Sequence, residues 1–363
     1  MEVSHLEKAD IKSMLPEEIA AALAEMGQPK YRAKQVFGWL HSGVDNFEEM
    51  SNLPKALRLA LDEKFYIAGV EIVRRLESKL DETVKYLYRL RDGAYIESVL
   101  MKYHHGYTVC VSTQVGCRMG CSFCASGLDG LYRNLTASEI LSQVLTAGKD
   151  NGIRVSNIVL MGMGEPLDNY DNTIRFLDLV SHKEGLNIGL RHISLSTSGV
   201  VSGIYRLLEE KKPVTLSISL HAPNDTIRSQ MMAVNRKWGI DSLLDACRAY
   251  IDATNRRISF EYAVIAGVND SDACARELAH RLRGMLCHVN LIPVNSVAEN
   301  DYKRPDKGRV QHFCDKLNQL GINTTVRRTL GADIDASCGQ LRRKYNQEQE
   351  KNSEINEKAP GGA

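Results

Sequence analysis

The sequence predicts an α/β fold, a sheet of parallel strands that curves into a partial barrel of the (β/α)6 type. From residue 107 onward, short β-branched runs alternate with amphipathic stretches of helical length. Strands separated by helices pair in parallel, because a parallel connection needs a long crossover. The predicted strands are 107–115, 157–162, 192–198, 214–221, 258–265, 288–294 and 324–329, and the predicted helices between them include 136–149, 170–183, 239–253, 270–283 and 307–320.

Two smaller segments precede this pattern. Helical periodicity over 16–27, 30–41 and 45–64, the last interrupted at Asn52-Leu53-Pro54, predicts a helical module. Apolar and polar residues then alternate over 84–90 and 95–103 around an Arg91-Asp92-Gly93 hairpin signal, which predicts a β extension. The predicted divisions are a helical accessory module at 1–66, a β-rich connector at 67–106, the barrel with a C-terminal loop at 107–344 and a disordered tail at 345–363.

The composition is that of an ordinary globular protein, with 43% hydrophobic and 25% charged residues and a formal net charge of +1. A nucleic-acid partner is neither favoured nor excluded by this charge, so any basic surface must be local. The sequence shows no run of about 18 apolar residues and no signal-peptide pattern. We therefore expect a cytoplasmic protein without a membrane partner, and a monomer.

Four of the nine cysteines fall between Cys110 and Cys124, and three of these form the pattern Cys117-x3-Cys121-x2-Cys124. Three thiolates on one short loop can hold three irons of a 4Fe–4S cluster and leave the fourth iron open. The alternatives are buried thiols and a structural zinc site, although zinc prefers four ligands in two pairs and no second pair exists here. The dispersed cysteines are predicted to be small buried apolar residues, namely Cys247, Cys274, Cys287 and Cys314.

Polar groups follow successive predicted strands at their carboxyl ends, where a barrel binds its ligands. Each of them alone is typical of a turn or a helix cap. Together they predict a polar ring at one end of the barrel. The segments are Met161-Gly-Met-Gly-Glu-Pro166, Ser194-Leu-Ser-Thr-Ser-Gly199, Ser219-Leu-His221 and Asn295.

Cys338 lies in a polar, glycine-flanked segment after the last predicted strand. Such a loop is a poor place for an inert thiol and a good place for a reactive one, although a structural role stays possible. For Glu97, by contrast, the strand pattern alone predicts an ordinary solvated carboxylate.

The cysteine triplet, with Phe123 before its last cysteine, resembles the radical-SAM (S-adenosylmethionine) superfamily. Residues 1–344 as a whole resemble the dual-specificity 23S rRNA and tRNA adenine C2-methyltransferases of the RlmN type. The matching stretches are Cys110-Val-Ser-Thr-Gln-Val-Gly-Cys117, Gly162-Met-Gly-Glu-Pro166, Ser219-Leu-His-Ala-Pro-Asn224, His288-Val-Asn-Leu-Ile-Pro293 and Asp333-Ile-Asp-Ala-Ser-Cys-Gly-Gln-Leu341.

This resemblance implies a 4Fe–4S cluster on the three triplet cysteines and two SAM molecules per turnover. One SAM methylates Cys338. The second yields a 5′-deoxyadenosyl radical, which takes a hydrogen from that methyl group, so that the resulting carbon radical adds to adenine and joins enzyme and RNA. Glu97 then accepts the carbon-2 proton, and Cys110 releases the product through a Cys110–Cys338 disulfide. The SAM-binding residues implied are Gly164, Glu165, Ser196, Ser219, Leu220, His221 and Asn295.

The implied partners are 23S rRNA in its peptidyl-transferase region, tRNA at the adenosine next to the anticodon, and an electron donor such as flavodoxin. An adenine inside a helix cannot reach a buried cluster, so the target must be unstacked. Basic residues could contact phosphates, although a charge run is more often a solvated face. The candidate sets are Lys303, Arg304, Lys307 and Arg309; Arg327, Arg328, Arg342, Arg343 and Lys344; and Lys30, Arg32 and Lys34.

Two rival functions stay open at this point. The related enzymes that methylate carbon 8 of an rRNA adenine and give antibiotic resistance share the triplet, Cys110 and Cys338. Pro166 and the segment 291–295 look more like the C2 family. A zinc-stabilised, non-catalytic RNA-binding protein is a rival of another class, and it leaves the Gly-Glu-Pro turn and the Cys338 loop unexplained.

Overall fold

The computed structural model describes residues 8–294, 302–334, 341–343 and 345–346. The helices are α1 (Pro16–Glu25), α2 (Tyr31–His41), α3 (Lys55–Lys64), α4 (Ala137–Asn151), α5 (Tyr170–Ser181), α6 (Val201–Glu209), α7 (Asp225–Met231), α8 (Ile240–Thr254), α9 (Asp272–Leu282) and α10 (Lys307–Gln319). The strands are β1 (Ala9–Asp10), β2 (Phe65–Tyr66), β3 (Glu71–Glu77), β4 (Val84–Arg89), β5 (Tyr95–Tyr103), β6 (Gly106–Cys110), β7 (Gln114–Gly116), β8 (Leu131–Asn134), β9 (Val155–Leu160), β10 (Ile193–Thr197), β11 (Thr215–Ser219), β12 (Ile258–Val264), β13 (Cys287–Pro293) and β14 (Thr324–Val326).

A ten-stranded sheet organises the molecule, in the order β14-β13-β12-β11-β10-β9-β6-β5-β4-β3. The strands from β14 to β6 are parallel, and β5, β4 and β3 extend the sheet in antiparallel pairing. In the described part of the chain, β14 and β3 are the two edges, so the sheet is open. The predicted partial barrel with a β extension is therefore confirmed.

The first predicted strand, 107–115, is wrong as a single element. It divides into β6, which lies in the large sheet, and β7, which forms a separate antiparallel hairpin with β8. The chain leaves the sheet after Val111, whose amide still donates to the Val159 carbonyl. The break matters because β7 and β8 form the base of the triplet-cysteine loop.

The amino-terminal helices share the main apolar core with the barrel and contact α4 and α5. Ile19, Phe37 and Leu61 are buried there. The predicted helix over 45–64 is two elements, a single turn at Phe47–Glu49 and α3 after Pro54. Ser138 on α4 donates to the carboxylate of Asp10, which links the module to the barrel.

The dispersed cysteines follow the prediction with one exception. Cys247, Cys274 and Cys314 are buried, whereas Cys287, at the start of β13, is half-buried. In the described part of the chain, no helix is both long and apolar enough to span a membrane.

His41, at the end of α2, makes stability depend on pH. The imidazole stacks on Phe37, and neither ring nitrogen has a hydrogen-bond partner among the described residues. Burial, helped by the charges of His182 and Lys12, lowers the pKa of His41 to about 3. The folded state therefore excludes a proton that the unfolded chain binds below pH 6.5, so stability falls as the pH drops from 6.5 toward 3.

We expect His41→Leu to flatten the pH dependence of unfolding. The wild type should lose about 1.4 kcal/mol per pH unit more than the variant between pH 6 and pH 4. Urea unfolding at several pH values measures this difference, with the exposed His280→Leu as the matched control for histidine removal. Equal slopes in the wild type and His41→Leu would contradict the assignment.

Candidate active site

A cavity of about 320 Å³ opens at the carboxyl ends of β9 to β13, a size that suits a small-molecule cofactor. The polar ring predicted at the strand ends converges here. The lining includes Cys117, Cys121, Cys124, Gly164, Glu165, Ser196, Ser198, Ser219, His221, Glu261 and Arg327.

The triplet cysteines lie on the loop between β7 and β8. The Cys117 amide donates to the Gly130 carbonyl at 2.8 Å, which closes the base of the loop. Gly116 has φ +80°, and a side chain there would collide with the Gly130 carbonyl oxygen, so only glycine fits. Cys121 pairs with Met232 in an isolated bridge, which holds the middle of the loop against the barrel.

The donor set of this loop fits an iron–sulfur cluster. Burial raises the pKa of Cys117 to about 12 and also raises the pKa of Cys121. Such thiols become thiolates only beside a compensating positive charge, which a metal centre supplies. Among the described residues no three side chains are arranged around a single ion. In a cubane cluster each of the three cysteines would bind a different iron.

The Gly-Glu-Pro turn after β9 depends on close backbone approach. A Cβ on Gly162 would lie 2.6 Å from the Val111 carbonyl oxygen, and Gly164 has φ +102° and faces Gln114 equally closely. Glu165 is buried and accepts hydrogen bonds from the amides of Leu167 at 3.1 Å and Ser198 at 2.7 Å. Burial raises the pKa of Glu165, and these hydrogen bonds oppose the rise.

His221 follows β11 in a left-handed conformation, with φ +58°. Its Nδ1 accepts a hydrogen bond from the Ala263 amide at 2.9 Å, and burial lowers its pKa to about 3. The ring is therefore neutral with its proton on Nε2, the tautomer that the backbone donor requires. Ser196 and Ser219 are half-buried lining residues, whereas Leu220 packs into the main core behind the cavity.

Arg228, on α7, lies beneath the site and was not predicted. The side chain is fully buried, and its guanidinium donates to the carbonyls of Ser198 at 2.5 Å, Leu220 at 3.0 Å and Ser219 at 3.2 Å. A fourth bond reaches Asn235 Oδ1 at 2.8 Å. Burial lowers its pKa to about 10. One cation thus fixes the ends of β10 and β11.

Two further residues line the cavity: Ser198, which belongs to the predicted polar ring, and Glu261, which was not predicted. Ser198 is buried and lies against Glu165, whose carboxylate accepts a hydrogen bond from the Ser198 amide at 2.7 Å. Glu261 accepts from Asn290 at 2.7 Å and Ser259 at 2.9 Å, and burial raises its pKa. The Ser-Thr-Ser-Gly segment gave a signal for Ser198, whereas Glu261 sits in an apolar run that gave none.

Glu97 is not solvated as its strand pattern suggested. It is 1% exposed, and Lys85 Nζ, equally buried, lies 3.1 Å from its Oε2. Its Oε1 accepts from the Arg342 amide at 2.7 Å. The antiparallel register pairs Lys85 with Val99, two residues along β5, so the two charges share one face of the sheet. A buried charge requires such a partner.

Cys110 lies on the same face, because β5–β6 pairing places it opposite Val99. It is buried in a small cluster that includes Met161 and Leu330. Neither Cys110 nor Glu97 lines the main cavity, but Met161 does. The cluster that contains Cys110 thus reaches the cavity through the Met161 side chain.

Cys338, Asn295 and Lys344 lie outside the described residues. The described residues on either side of Cys338 are anchored to two different parts of the chain. Asp333 accepts from Ser78 Oγ at 2.6 Å, next to β3, and Arg342 donates to Asp129 at 2.9 Å, on the triplet-cysteine loop.

The predicted phosphate-binding sets differ in their contacts. Arg309 pairs with Asp270 and Asp272, and Lys34 pairs with Glu184, as expected of solvated faces. Arg327 and Arg328 are exposed and line a second cavity, described below.

These features define a radical-SAM enzyme. Residues 111–280 match the family model "Radical SAM superfamily". The chain is similar to a radical SAM methyltransferase from Sphaerobacter thermophilus, with a TM-score of 0.88 and 46% identity over 92% of this chain and 98% of that chain.

Residues 9–67 match the "Ribosomal RNA large subunit methyltransferase N-terminal domain". The chain is 57% identical to a probable dual-specificity RNA methyltransferase RlmN of Alkaliphilus oremlandii, over 94% of this chain and 99% of that protein. It is 52% identical to the protein of that name in Clostridium tetani, over 91% of this chain and 94% of that protein. The chain belongs to the RlmN family of radical-SAM dual-specificity RNA methyltransferases. With this family come a 4Fe–4S cluster and SAM as cofactors.

Proposed function

We propose that this protein methylates carbon 2 of adenine in the peptidyl-transferase region of 23S rRNA and in tRNA next to the anticodon. One structural observation supports the proposal in addition to the family assignment. Glu97 and Cys110 share one face of the sheet, and the backbone of Arg342, four residues after Cys338, is hydrogen-bonded to Glu97. The contact supports the proposed roles of Glu97 and Cys110, because the chain returns at Arg342, soon after Cys338, to the face of the sheet that carries both residues.

The triplet cysteines Cys117, Cys121 and Cys124 would hold the cluster, which with SAM supplies one-electron chemistry at carbon. SAM would contact Gly164, Glu165, Ser196, Ser219, Leu220, His221 and Asn295. Ser219 and His221 are oriented for this role by the Arg228 and Ala263 contacts.

Three side chains perform the remaining steps. Cys338 carries the methyl group, and the carbon of that group, after it loses a hydrogen atom, forms the bond to adenine and so holds the RNA covalently. Glu97 accepts the proton from carbon 2. The Cys110 thiolate then attacks the Cys338 sulfur and forms a disulfide while the bond from that sulfur to the transferred carbon breaks. The released carbon takes a proton to become the methyl group, and the one electron left over would pass to the cluster. An external thiol must then reduce the disulfide.

Product analysis tests the position of the methyl group. RNA treated with the reconstituted enzyme should yield 2-methyladenosine when its nucleosides are separated by mass spectrometry. The Cys117→Ala variant, which lacks one cluster ligand, should yield none and serves as the control. If 8-methyladenosine were the only product, the carbon-8 alternative would replace this proposal.

We expect Cys110→Ala to trap RNA on the protein, because the thiol that releases the product is absent. A covalent RNA–protein band on a denaturing gel measures the adduct. The matched Cys338→Ala variant should form neither adduct nor product. Normal turnover by Cys110→Ala would show that Cys110 does not release the product.

We further propose that the protein acts in the cytoplasm as a monomer and takes electrons from a flavodoxin-like donor.

Metal analysis distinguishes the enzyme from the alternative of a zinc-stabilised RNA-binding protein. The enzyme should contain about four irons per chain, whereas the binding protein should contain one zinc.

A further inference from the structure

A second cavity, of about 420 Å³, is lined by residues of the sheet and of the segments that flank its strands. Ser194 and Asn157 line it, whereas Ser196 and Leu160 line the first cavity. Since a strand rises about 3.3 Å per residue, the two cavities are offset by roughly 7–10 Å along β9 and β10. They share Met161, Glu261 and Arg327, so this second cavity adjoins the site already described.

The rim of this cavity is cationic. Arg191, Arg327 and Arg328 line it and are exposed. Among the described residues Arg191 and Arg328 form no ion pair. The carboxylate in the lining is Glu261, which is buried and already accepts hydrogen bonds from Asn290 and Ser259. The guanidinium groups therefore remain available to an anion from solvent.

An aromatic pair stands on the same rim. The rings of Tyr103 and His105 stack with their centroids 5.2 Å apart and an angle of 11° between the planes. Both line the cavity, beside Thr108. Stacked planar rings next to unpaired arginines suit a nucleotide, because a base can extend the stack while its phosphate meets a guanidinium.

We propose that this cavity binds a single-stranded RNA nucleotide that flanks the target adenosine, with its phosphate at Arg191 and Arg328 and its base on Tyr103 and His105. The inference rests on the proposed RNA substrate. A nucleotide site beside the cofactor cavity would hold the strand on one side of an unstacked target. An acidic protein could also meet the arginines, but it would leave the aromatic pair without a role.

The test measures the binding of a fluorescent single-stranded RNA that contains the target adenosine, at several salt concentrations. Arg191→Ala should weaken binding roughly tenfold, as expected for a lost hydrogen bond to a charged group. The slope of log K against log salt should shrink by about 0.7, the value for one phosphate contact on a single strand. Arg248→Ala, which removes an exposed arginine paired with Asp245 on α8, is the matched control and should change neither quantity.

A second pair of variants tests the stacking contact. Tyr103→Leu should weaken RNA binding about 5- to 100-fold, the range for one base–aromatic contact, and should leave the salt slope unchanged. Tyr103→Phe retains the ring and should bind as the wild type does. Iron content and SAM affinity, measured on the same samples, should match the wild type in all these variants.

The outcomes separate this inference from the proposed function. If Arg191→Ala bound RNA with the affinity and the salt dependence of the wild type, the proposed nucleotide site would be wrong. The proposed methylation, which product analysis tests, would not be affected. Competition by AMP as effective as that by the oligonucleotide would indicate a free nucleotide and also overturn it. Intact RNA binding with slower reduction by flavodoxin would assign the arginines to a protein partner instead. If the wild type bound no RNA, the proposed function itself would fail.

Discussion

Replacing Arg228 with methionine is expected to lower the free energy of unfolding by roughly 3–5 kcal/mol, the range for removing one partner of a buried charged network. The variant would leave the carbonyls of Ser198, Ser219 and Leu220 without their shared donor. SAM affinity should fall at the same time, because the ends of β10 and β11 would lose their common anchor. Urea unfolding and equilibrium dialysis with SAM measure the two effects.

Arg228→Lys separates the charge from the shape of the guanidinium. An ammonium keeps the charge but cannot reach all the acceptors that the planar fork reaches. We expect stability between those of the wild type and Arg228→Met, with SAM affinity still reduced. If Arg228→Met bound SAM as tightly as the wild type, Arg228 would be a structural residue with no part in positioning the site.

Glu97→Gln is expected to reduce RNA methylation by roughly 10²- to 10⁴-fold, the usual contribution of a general base. The amide keeps an acceptor for the Arg342 backbone but cannot take the adenine proton. Methyl transfer from labelled SAM to Cys338 should continue, since that step does not use Glu97. Radiolabel on protein and on RNA, counted separately, distinguishes the two stages.

The double variant Lys85→Met/Glu97→Gln separates catalysis from stability. Glu97→Gln alone leaves the buried Lys85 ammonium without its counter-charge and should lower the melting temperature. Removal of both charges should restore much of that loss but none of the activity. Recovery of RNA methylation in the double variant would show that Glu97 is not the base.

Periodicity predicted the barrel strands well because each is a short β-branched run between amphipathic helices. It failed where tertiary contacts end an element early. The run 107–115 contains only apolar and uncharged polar residues, so its pattern predicts one strand. In the structure β6 ends at Cys110, and the Ser112 hydroxyl donates a hydrogen bond to the Glu97 carbonyl at 2.6 Å. The short helix α7 escaped notice because its start depends on one capping side chain, Asn224, which accepts from the Ile227 amide.

The candidate site was predictable where chemistry is concentrated in one short segment. The cysteine triplet and the Gly-Glu-Pro turn are such segments, and both line the cavity. Arg228 and Lys85 are single charged residues in unremarkable contexts. The partners of these two residues depend on the packing of α7 under the barrel and on the β4–β5 register. Neither feature can be predicted from a local sequence pattern.

Glu97, the proposed base, and its partner Lys85 lie on β5 and β4, which are antiparallel additions to the barrel. The groups proposed to bind the cofactors, by contrast, come from the parallel strands and from the loop after β7. The proposed roles thus assign cofactor binding and proton removal to different stretches of the chain. On these roles, a barrel that kept the cysteine loop but exchanged the strands before residue 106 would retain its cluster ligands and lose the group that accepts the adenine proton.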